Sequence, residues 1–453
     1  MSKINRRSFL KAAALGVAGA VGSEVLGNKY RSINIIARAQ KRTFTITTIP
    51  GGQADRFNLL GKNFMAANPD VEVVVNVAGG AETEYKPAFP QIVASDDKPD
   101  FAWYWVDGRQ YQDIANAGLL EPLDDLYESE GWNKVIPEST LRLYTQPDGK
   151  KYAVNGGIVW YPQVYYSLDA FEKAGVEPPP ADRPYWTSMD EFYAACDKLR
   201  TAGYEPLTIG GKEGWIIGHA HDTMLARVAT DEQLTDLLFN WRKGSTPLTR
   251  YTDAEGPWRK ANQLLLDMAN KKVFAEGFLA RSYAEGRALF VQGKAAMYQD
   301  GSWAPTPPIL YAEAPDLKFG WMLYPQVDPN ISAKFLLYAG DGLMIPAGTQ
   351  NVDLAKQFLA FMMSKEQVIA QISVGIVPSR TDIPATELAA AGQHTVDMFP
   401  MLPKLGTTTG WDDPVPADMA ERSHFLWQDL LAGRIPVEKV GEEIEQLAER
   451  KRN

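Results

Sequence analysis

Two α/β lobes are the architecture this sequence predicts, on three observations. A chain of 453 residues exceeds what one compact core usually holds, so two lobes are expected. Strand and helix patterns alternate from Phe44 to Val106, the order of a doubly wound α/β domain. A second α/β block then starts after Lys150.

Phe44-Thr-Ile-Thr-Thr-Ile49 is rich in β-branched residues and ends at Pro50-Gly51-Gly52, so it reads as a strand entering a loop. Phe57, Leu60, Phe64 and Met65 form the apolar stripe of a helix over Asp55–Ala67, which Asn68-Pro69-Asp70 stops. Val71–Val77 is apolar almost throughout, which predicts a parallel strand covered on both faces. A helix over Tyr85–Ser95 and a strand over Asp100–Val106 complete the first block. In the second, Val164–Ser167 reads as a strand, Leu168–Ala174 as a helix, and Glu177–Pro184 as a proline-stiffened loop. Ser188-Met-Asp-Glu191 has capping-box spacing and opens a helix to Arg200. Strands follow at Leu207–Ile209 and Ala295–Gln299, with helices at Gly256–Asn270, Ser282–Gln292, Asn351–Ser364 and His424–Gly433.

The amino terminus reads as a removable address. Arg6-Arg7 precede an Ala/Gly-rich apolar run, Ala12–Gly22, of eleven residues; a membrane-spanning helix needs about twenty. A paired arginine before such a run is the twin-arginine type of export signal. The small residues of Ala37-Arg38-Ala39 suit a signal peptidase, so residues 1–39 are the expected signal and Gln40 the expected mature start. No cysteine follows the apolar run to carry a lipid, and the expected location is periplasmic or extracellular.

Composition narrows the partners. The formal net charge is −10, and beyond residue 39 the chain holds 39 basic against 55 acidic residues. A surface that acidic repels nucleic acid, so none is expected as a partner. Cys196 is the only cysteine, which excludes an intramolecular disulfide and any cysteine-based metal cluster. It sits at helical spacing with Phe192, Ala195 and Leu199 and reads as a packed hydrophobe rather than a nucleophile. His219-Ala-His221 would point two histidines to one side of a strand, but no third ligand stands at fixed spacing. Gly210-Gly211-Lys212-Glu213 lacks the glycine spacing and hydroxyl of a phosphate loop. No metal and no cofactor are expected.

In order, the chain carries "FMAANPDVEVVV" (64–75), "PDFAWYW" (99–105), "NAGLLEPLDDL" (116–126), "DGKKYAV" (148–154), "VYYSLDAFEKAGVEPPP" (164–180) and "MDEFYAACDKL" (189–199). "VQGKAAMYQDGSW" (291–303), "GDGLMIP" (340–346), "DLAKQFLAFMMSKE" (353–366) and "VPSR" (377–380) follow. Taken together these resemble the extracellular solute-binding protein family 1, the maltose- and multiple-sugar-binding receptors of ABC importers. The likeness runs from Phe44 to the end. It implies a periplasmic-binding-protein-like, Venus-flytrap fold: two lobes joined by crossing hinge segments, with ligand in the cleft between them. Crossings are expected near Tyr152–Gly157, Asp316–Tyr324 and Val377–Arg380. The amino-terminal lobe would then comprise 41–153 and 322–378, and the other lobe 154–321 and 379–453. Asn155 stands where the family usually has a proline, and the loop from Pro180 to Trp186 is longer than usual.

A sugar offers flat C–H faces to aromatic rings and hydroxyl edges to carboxylates, amides and arginine. In α/β lobes such groups belong in loops after the carboxyl ends of strands. That rule selects Gln53 and Glu82 after the first two strands, and Trp103, Trp105 and Asp107 at the end of the third. Trp160 and Tyr161 lie past Gly156-Gly157, whose missing side chains would let a ligand reach the backbone. Trp303 stands where the matching family segment supplies a stacking tryptophan, with Asp300 before it as a hydroxyl acceptor. Asp341 between two glycines, Arg380 at the last crossing, and Trp411 with Asp412 in a loop closing over the cleft complete the ligand-binding set. The resemblance implies capture by hinge closure, delivery to importer membrane subunits, no catalytic residue and a monomer. The alternatives are an exported glycoside hydrolase working with two carboxylates, or a receptor for a polyamine, metal complex or phosphate ester. Neither G-x-S-x-G nor H-E-x-x-H occurs in the chain.

Overall fold

In the computed structural model, which describes residues 41–453 apart from 81–83, 107, 147, 158, 162, 306–308 and 339, strand β1 spans Arg42–Thr48. The signal assigned to 1–39 lies outside the described residues. Alternation in β1 turns Phe44 and Ile46 into the core, both fully buried. It pairs in parallel with β2 (Val71–Val77), from Arg42 opposite Val71 to Thr48 opposite Val77, and with β3 (Phe101–Trp105) on its other side. The helix Gly52–Ala67 starts after Gly51, whose φ of 82° favours glycine. It buries Phe57, Leu60 and Phe64 against the sheet, Phe57 meeting Phe101 at 5.9 Å. Asn68 ends the helix, its backbone N–H and side-chain amide both donating to the Phe64 carbonyl.

β11 (Asp341–Met344) and β4 (Val154–Asn155) complete a five-stranded sheet in the order β2-β1-β3-β11-β4, with β11 antiparallel to both neighbours. β2 is therefore an edge strand. The apolar run that predicted two covered faces leaves Val74 and Val77 37% and 45% exposed. The centre of the sheet goes to β1 and β3, because the later strand β11 adds beside β3.

The second sheet runs β7 (Glu205–Thr208), β8 (Ala295–Asp300), β6 (Gln163–Ser167), β9 (Phe319–Leu323). Only β7 and β8 pair in parallel here, so this lobe is α/β with a mixed sheet. Ser188 caps its helix as expected, accepting from the Glu191 N–H at 3.2 Å. The Glu191 carboxylate reaches one residue further back, to the Thr187 N–H and hydroxyl. The long loop before that helix has a structural use. The carbonyls of Pro184 and Trp186 accept from the backbones of Leu323 and Gln326, which shields the free edge of β9.

A third, small sheet joins β12 (Thr407–Thr409), β10 (Phe335–Tyr338) and β5 (Val159–Tyr161), and β5 lies between β4 and β6 in chain order. The chain leaves the first sheet at β4 and joins this one at β5. Phe319–Leu323 is β9, the edge strand of the second sheet, and Met322, Tyr324, Leu336 and Tyr338 pack with that lobe's core. In chain order β10 of the small sheet is followed by β11 of the first sheet. Near the third expected crossing, the Ser379 hydroxyl donates to the Asn155 carbonyl at 2.9 Å.

Each large sheet carries its own core. One gathers Phe44, Phe64, Phe101, Trp132 and Phe358; the other gathers Phe192, Trp258, Trp411 and Trp427, with Cys196 1% exposed among them. Burial pushes the Cys196 thiol up to about 12, as befits a packed hydrophobe.

Candidate functional site

The first lobe's wall is built where β1 and β3 end. β11 runs the opposite way, and its register sets Asp341 beside Trp105, so its first residue arrives at the same edge. Gln53 and Asp341 do converge there, and they bond each other: the Gln53 amide donates to both carboxylate oxygens at 3.1 and 3.0 Å. Trp103 and Trp105 share a face as alternation requires, their rings 4.6 Å apart and edge to face, while Tyr104 stacks on Phe89. Trp103 is 2% exposed and belongs to the core; Trp105 is half-buried, with the Lys86 ammonium 5.2 Å from its ring centre. Glu82 and Asp107 lie outside the described residues.

Beneath this wall sits a residue that sequence reasoning missed. The Arg56 side chain is fully buried, and its guanidinium donates to Gln371 Oε1 (2.7 Å), the Gly156 carbonyl (2.8 Å), Asp341 Oδ2 (3.2 Å) and Gln53 Oε1 (3.3 Å). Burial draws its pKa down to about 10, opposed by the Asp341 charge. Burial likewise raises Asp341, opposed by Arg56 and by hydrogen bonds. Such a pair persists only because every member is hydrogen-bonded.

Gly156 and Gly157 do not open the backbone to a ligand as expected. A Cβ on Gly156 would meet Arg56 Nη2 at 2.6 Å, and one on Gly157 would meet Ile376 Cγ2 at 2.9 Å. The glycines make room for the protein's own groups. Asn155, in the place of the usual proline, is 2% exposed; its side-chain amide N–H donates to the Tyr144 hydroxyl at 2.7 Å, and its side-chain Oδ1 accepts from the Gly157 N–H. Trp160 and Tyr161 are placed on β5, opposite Leu337 and Leu336; their side chains lie outside what is described.

The second lobe offers an aromatic shelf. The half-buried Trp303 donates its indole N–H to the Tyr283 hydroxyl at 2.9 Å, and Tyr283 donates to Asp300 Oδ2 at 2.5 Å. The Tyr298 hydroxyl reaches the same oxygen, and the Gly301 N–H bonds the other at 2.8 Å. Asp300 is fully buried, so it orients the shelf from beneath rather than receiving a ligand hydroxyl. Trp215 extends the shelf, 5.3 Å from Tyr283, and His219 follows at 5.2 Å. Tyr283 and Trp215 were not legible from motifs. The one local signal is the Ser282–Glu285 capping box, which sets Tyr283 at a helix start.

Trp411 is a second correction. It is fully buried between Trp258 and Trp427, its indole N–H donating to the Tyr251 hydroxyl at 3.1 Å and to the Leu237 carbonyl at 3.2 Å, so it is core rather than a closing loop. Arg380 is held by Asp382 through two hydrogen bonds and donates to the Met363 carbonyl at 2.6 Å, the last carbonyls of a helix being natural acceptors.

Next to Trp411 begins a chain of titratable groups. His424 Nε2 lies 2.9 Å from Asp412 Oδ2, and the Asp412 N–H and the Tyr338 hydroxyl both donate to Asp222 Oδ2. His219 and His221 lie on the helix Trp215–Val228, not on a strand, and therefore point apart: His219 to Tyr338, His221 to Asp222 and Trp258. Among the described residues no three metal-ligating side chains are placed to hold a metal ion. The Lys86 ammonium, from the first lobe, acts on His219, His424 and Asp412 of the second. The helices Gly108–Asn116 and Ala417–Leu431 also meet across the lobes. Lys86 thus links the Trp105 end of the wall to the His219 end of the shelf.

These environments set a pH dependence. Burial draws the His424 imidazolium down, but the Asp412 charge and hydrogen bond outweigh it and raise the pKa. A raised histidine contributes stability below its unfolded value of about 6.5 and loses it as pH rises through the folded value. Burial holds His219 down to about 3, which has the opposite sign, so the two must be separated by difference. The gap in melting temperature between the native chain and a His424→Asn variant should be widest near pH 5.5 and narrow as pH rises above the ordinary histidine value of about 6.5. A gap constant over that range would remove the assigned ion pair.

Comparison with known proteins agrees with this architecture. The profile described as bacterial extracellular solute-binding protein matches residues 51–369. A probable sugar-binding periplasmic protein of Rhizobium meliloti is 23% identical over 349 residues, 76% of this chain and 78% of that one. The diacetylchitobiose binding protein DasA of Streptomyces coelicolor is 22% identical over 395 residues, 82% of this chain and 83% of that one. Among solved structures, a chitin oligosaccharide binding protein superposes with a TM-score of 0.77 at 22% identity, covering 91% of this chain and 99% of its own. The maltose-bound MalE3 of T. maritima superposes at 0.70, with 18% identity, covering 90% and 99%. The match to the family profile spans well over half the chain, and the protein belongs to the bacterial extracellular solute-binding proteins.

Proposed function

We propose that this protein is an exported receptor that captures a carbohydrate between its two lobes and passes it, by hinge closure, to the membrane subunits of an ABC importer. One observation carries the carbohydrate reading: half-buried Trp105 on one wall and the Trp215–Tyr283–Trp303 shelf on the other. Rigid aromatic faces on both sides suit the C–H faces of sugar rings, and they supply contact area at small entropic cost. The sugar ligands in the names of relatives and structural neighbours support the same reading. The twin-arginine pattern at Arg6-Arg7 supports export through that route, with maturation at Gln40 and a periplasmic or extracellular monomer as product. No helix among the described residues is long and apolar enough to cross a membrane. Asp300 and Asp341, the acidic candidates nearest the shelf and the wall, are bonded to tyrosines and to Arg56, which favours binding over carboxylate catalysis.

The test is a thermal-shift screen of the chain from Gln40 against mono- and oligosaccharides, with polyamines and phosphate esters as controls. Ligand at a hundredfold excess over Kd adds about 2.7 kcal/mol to the folded state. A shift with at least one sugar, recovered unchanged by mass, is expected. A shift with a control alone would overturn the carbohydrate assignment, and sugar cleavage would overturn the receptor.

A further inference from the structure

The Arg56 side chain touches the chain at or beside each of three passages between the lobes. Its Nη2 donates to the carbonyl of Gly156, where β4 ends and the first passage begins. Its Nη1 meets the carboxylate of Asp341, where the second passage ends and β11 begins. Its Nε donates to Gln371, in the helix Lys365–Ile372 that leads into the third. The same Nη1 also bonds Gln53, whose amide in turn holds Asp341. Tyr144 reinforces this knot by donating to the Asp341 carbonyl at 2.6 Å, which the Gly156 N–H also approaches at 3.3 Å. Gly340, immediately before Asp341, has a φ of 58°, a backbone that turns freely only as glycine.

We infer that Arg56 is a positioning residue for ligand capture: it reaches no ligand itself, but it pins the pivot about which the lobes close and fixes Gln53 and Asp341 on the cleft wall. The geometry requires an arginine. A flat guanidinium directs several N–H groups outward at once, whereas a lysine ammonium is a point charge on a flexible stem. Every group it holds belongs to the first lobe or to the end of a passage, so the three passages are tied together on the first lobe's side. A pinned pivot limits the open and closed forms to two narrow populations; a loosened one spreads both.

The inference rests on the hinge-closing reading, and its test uses no sugar, so an incorrect ligand class leaves it standing. Spin labels on Glu72→Cys and Glu172→Cys, exposed sites on either lobe, report the interlobe distance by pulsed dipolar spectroscopy, and buried Cys196 stays unlabelled. In the ligand-free protein, Arg56→Gln should broaden the distance distribution by about twofold or more relative to the native pivot. Arg56→Lys should fail to restore it, which a role limited to charge would not do. Should either variant fail to fold, Gln371→Met removes one acceptor of the guanidinium, leaves the charge in place, and should broaden the distribution to a smaller extent. Distributions as narrow as the native one in the folded variants, whatever their melting temperatures, would overturn the inference and leave Arg56 a core ion pair only.

Discussion

Trp411→Ala should lower folding stability by about 3–5 kcal/mol, the range for truncating a large buried aromatic, while sugar affinity of the protein that still folds stays the same. The indole is fully buried, meets Trp258 at 4.6 Å and Trp427 at 6.3 Å, and donates to Tyr251 and Leu237. Its removal leaves a cavity and two acceptors that lose a donor, and both effects act on the folded state alone. Thermal melting, with calorimetric titration below the transition, separates the two quantities. A binding loss of tenfold or more without a matching fall in stability would return Trp411 to the cleft.

Trp303→Ala should behave in the opposite way. The ring is only half-buried, so truncation should move the melting temperature of the free protein less than at Trp411. Affinity for the sugar with the largest thermal shift should fall by about 30-fold or more, since a tryptophan at the centre of a binding site commonly contributes 2 kcal/mol or more. Tyr283→Phe is the informative companion. It keeps the neighbouring ring but removes the hydroxyl that links the Trp303 indole to Asp300, so it should reproduce part of the loss through misorientation alone. Unchanged affinity in Trp303→Ala would remove the shelf from the binding site.

These two tryptophans show how far residue type carries a functional reading. Both follow a strand or helix boundary in the sequence, both have an acidic neighbour, and both are predicted to contact ligand. What separates them is packing: Trp411 fell among two other tryptophans and a tyrosine, while Trp303 was held at the surface by a hydroxyl 2.9 Å away. Asp300 and Arg380 show the same limit. Each lies close to its expected place in the fold, yet each is turned toward protein groups, because a charge removed from water needs partners and the nearest ones are internal.

Local pattern determined the elements and the class. β-branched alternation made β1, apolar spacing made the helix Gly52–Ala67, and the cap at Ser188 opened the helix after it, since hydrogen bonds and periodicity within a few residues decide these. The order of the pieces was enough to mark the family. Only the tertiary structure decided that β2 lies at an edge, that β11 joins the first sheet beside β3, and that β9 belongs to the second sheet. Strand pairing joins residues far apart in the chain, and no local pattern records which edge a later strand will take. Arg56 is the extreme case: an arginine within an amphipathic helix reads as a solvated face. Its meaning comes from Gly156, Asp341 and Gln371, between 100 and 315 residues away, whose carbonyl, carboxylate and amide together repay the burial of one charge.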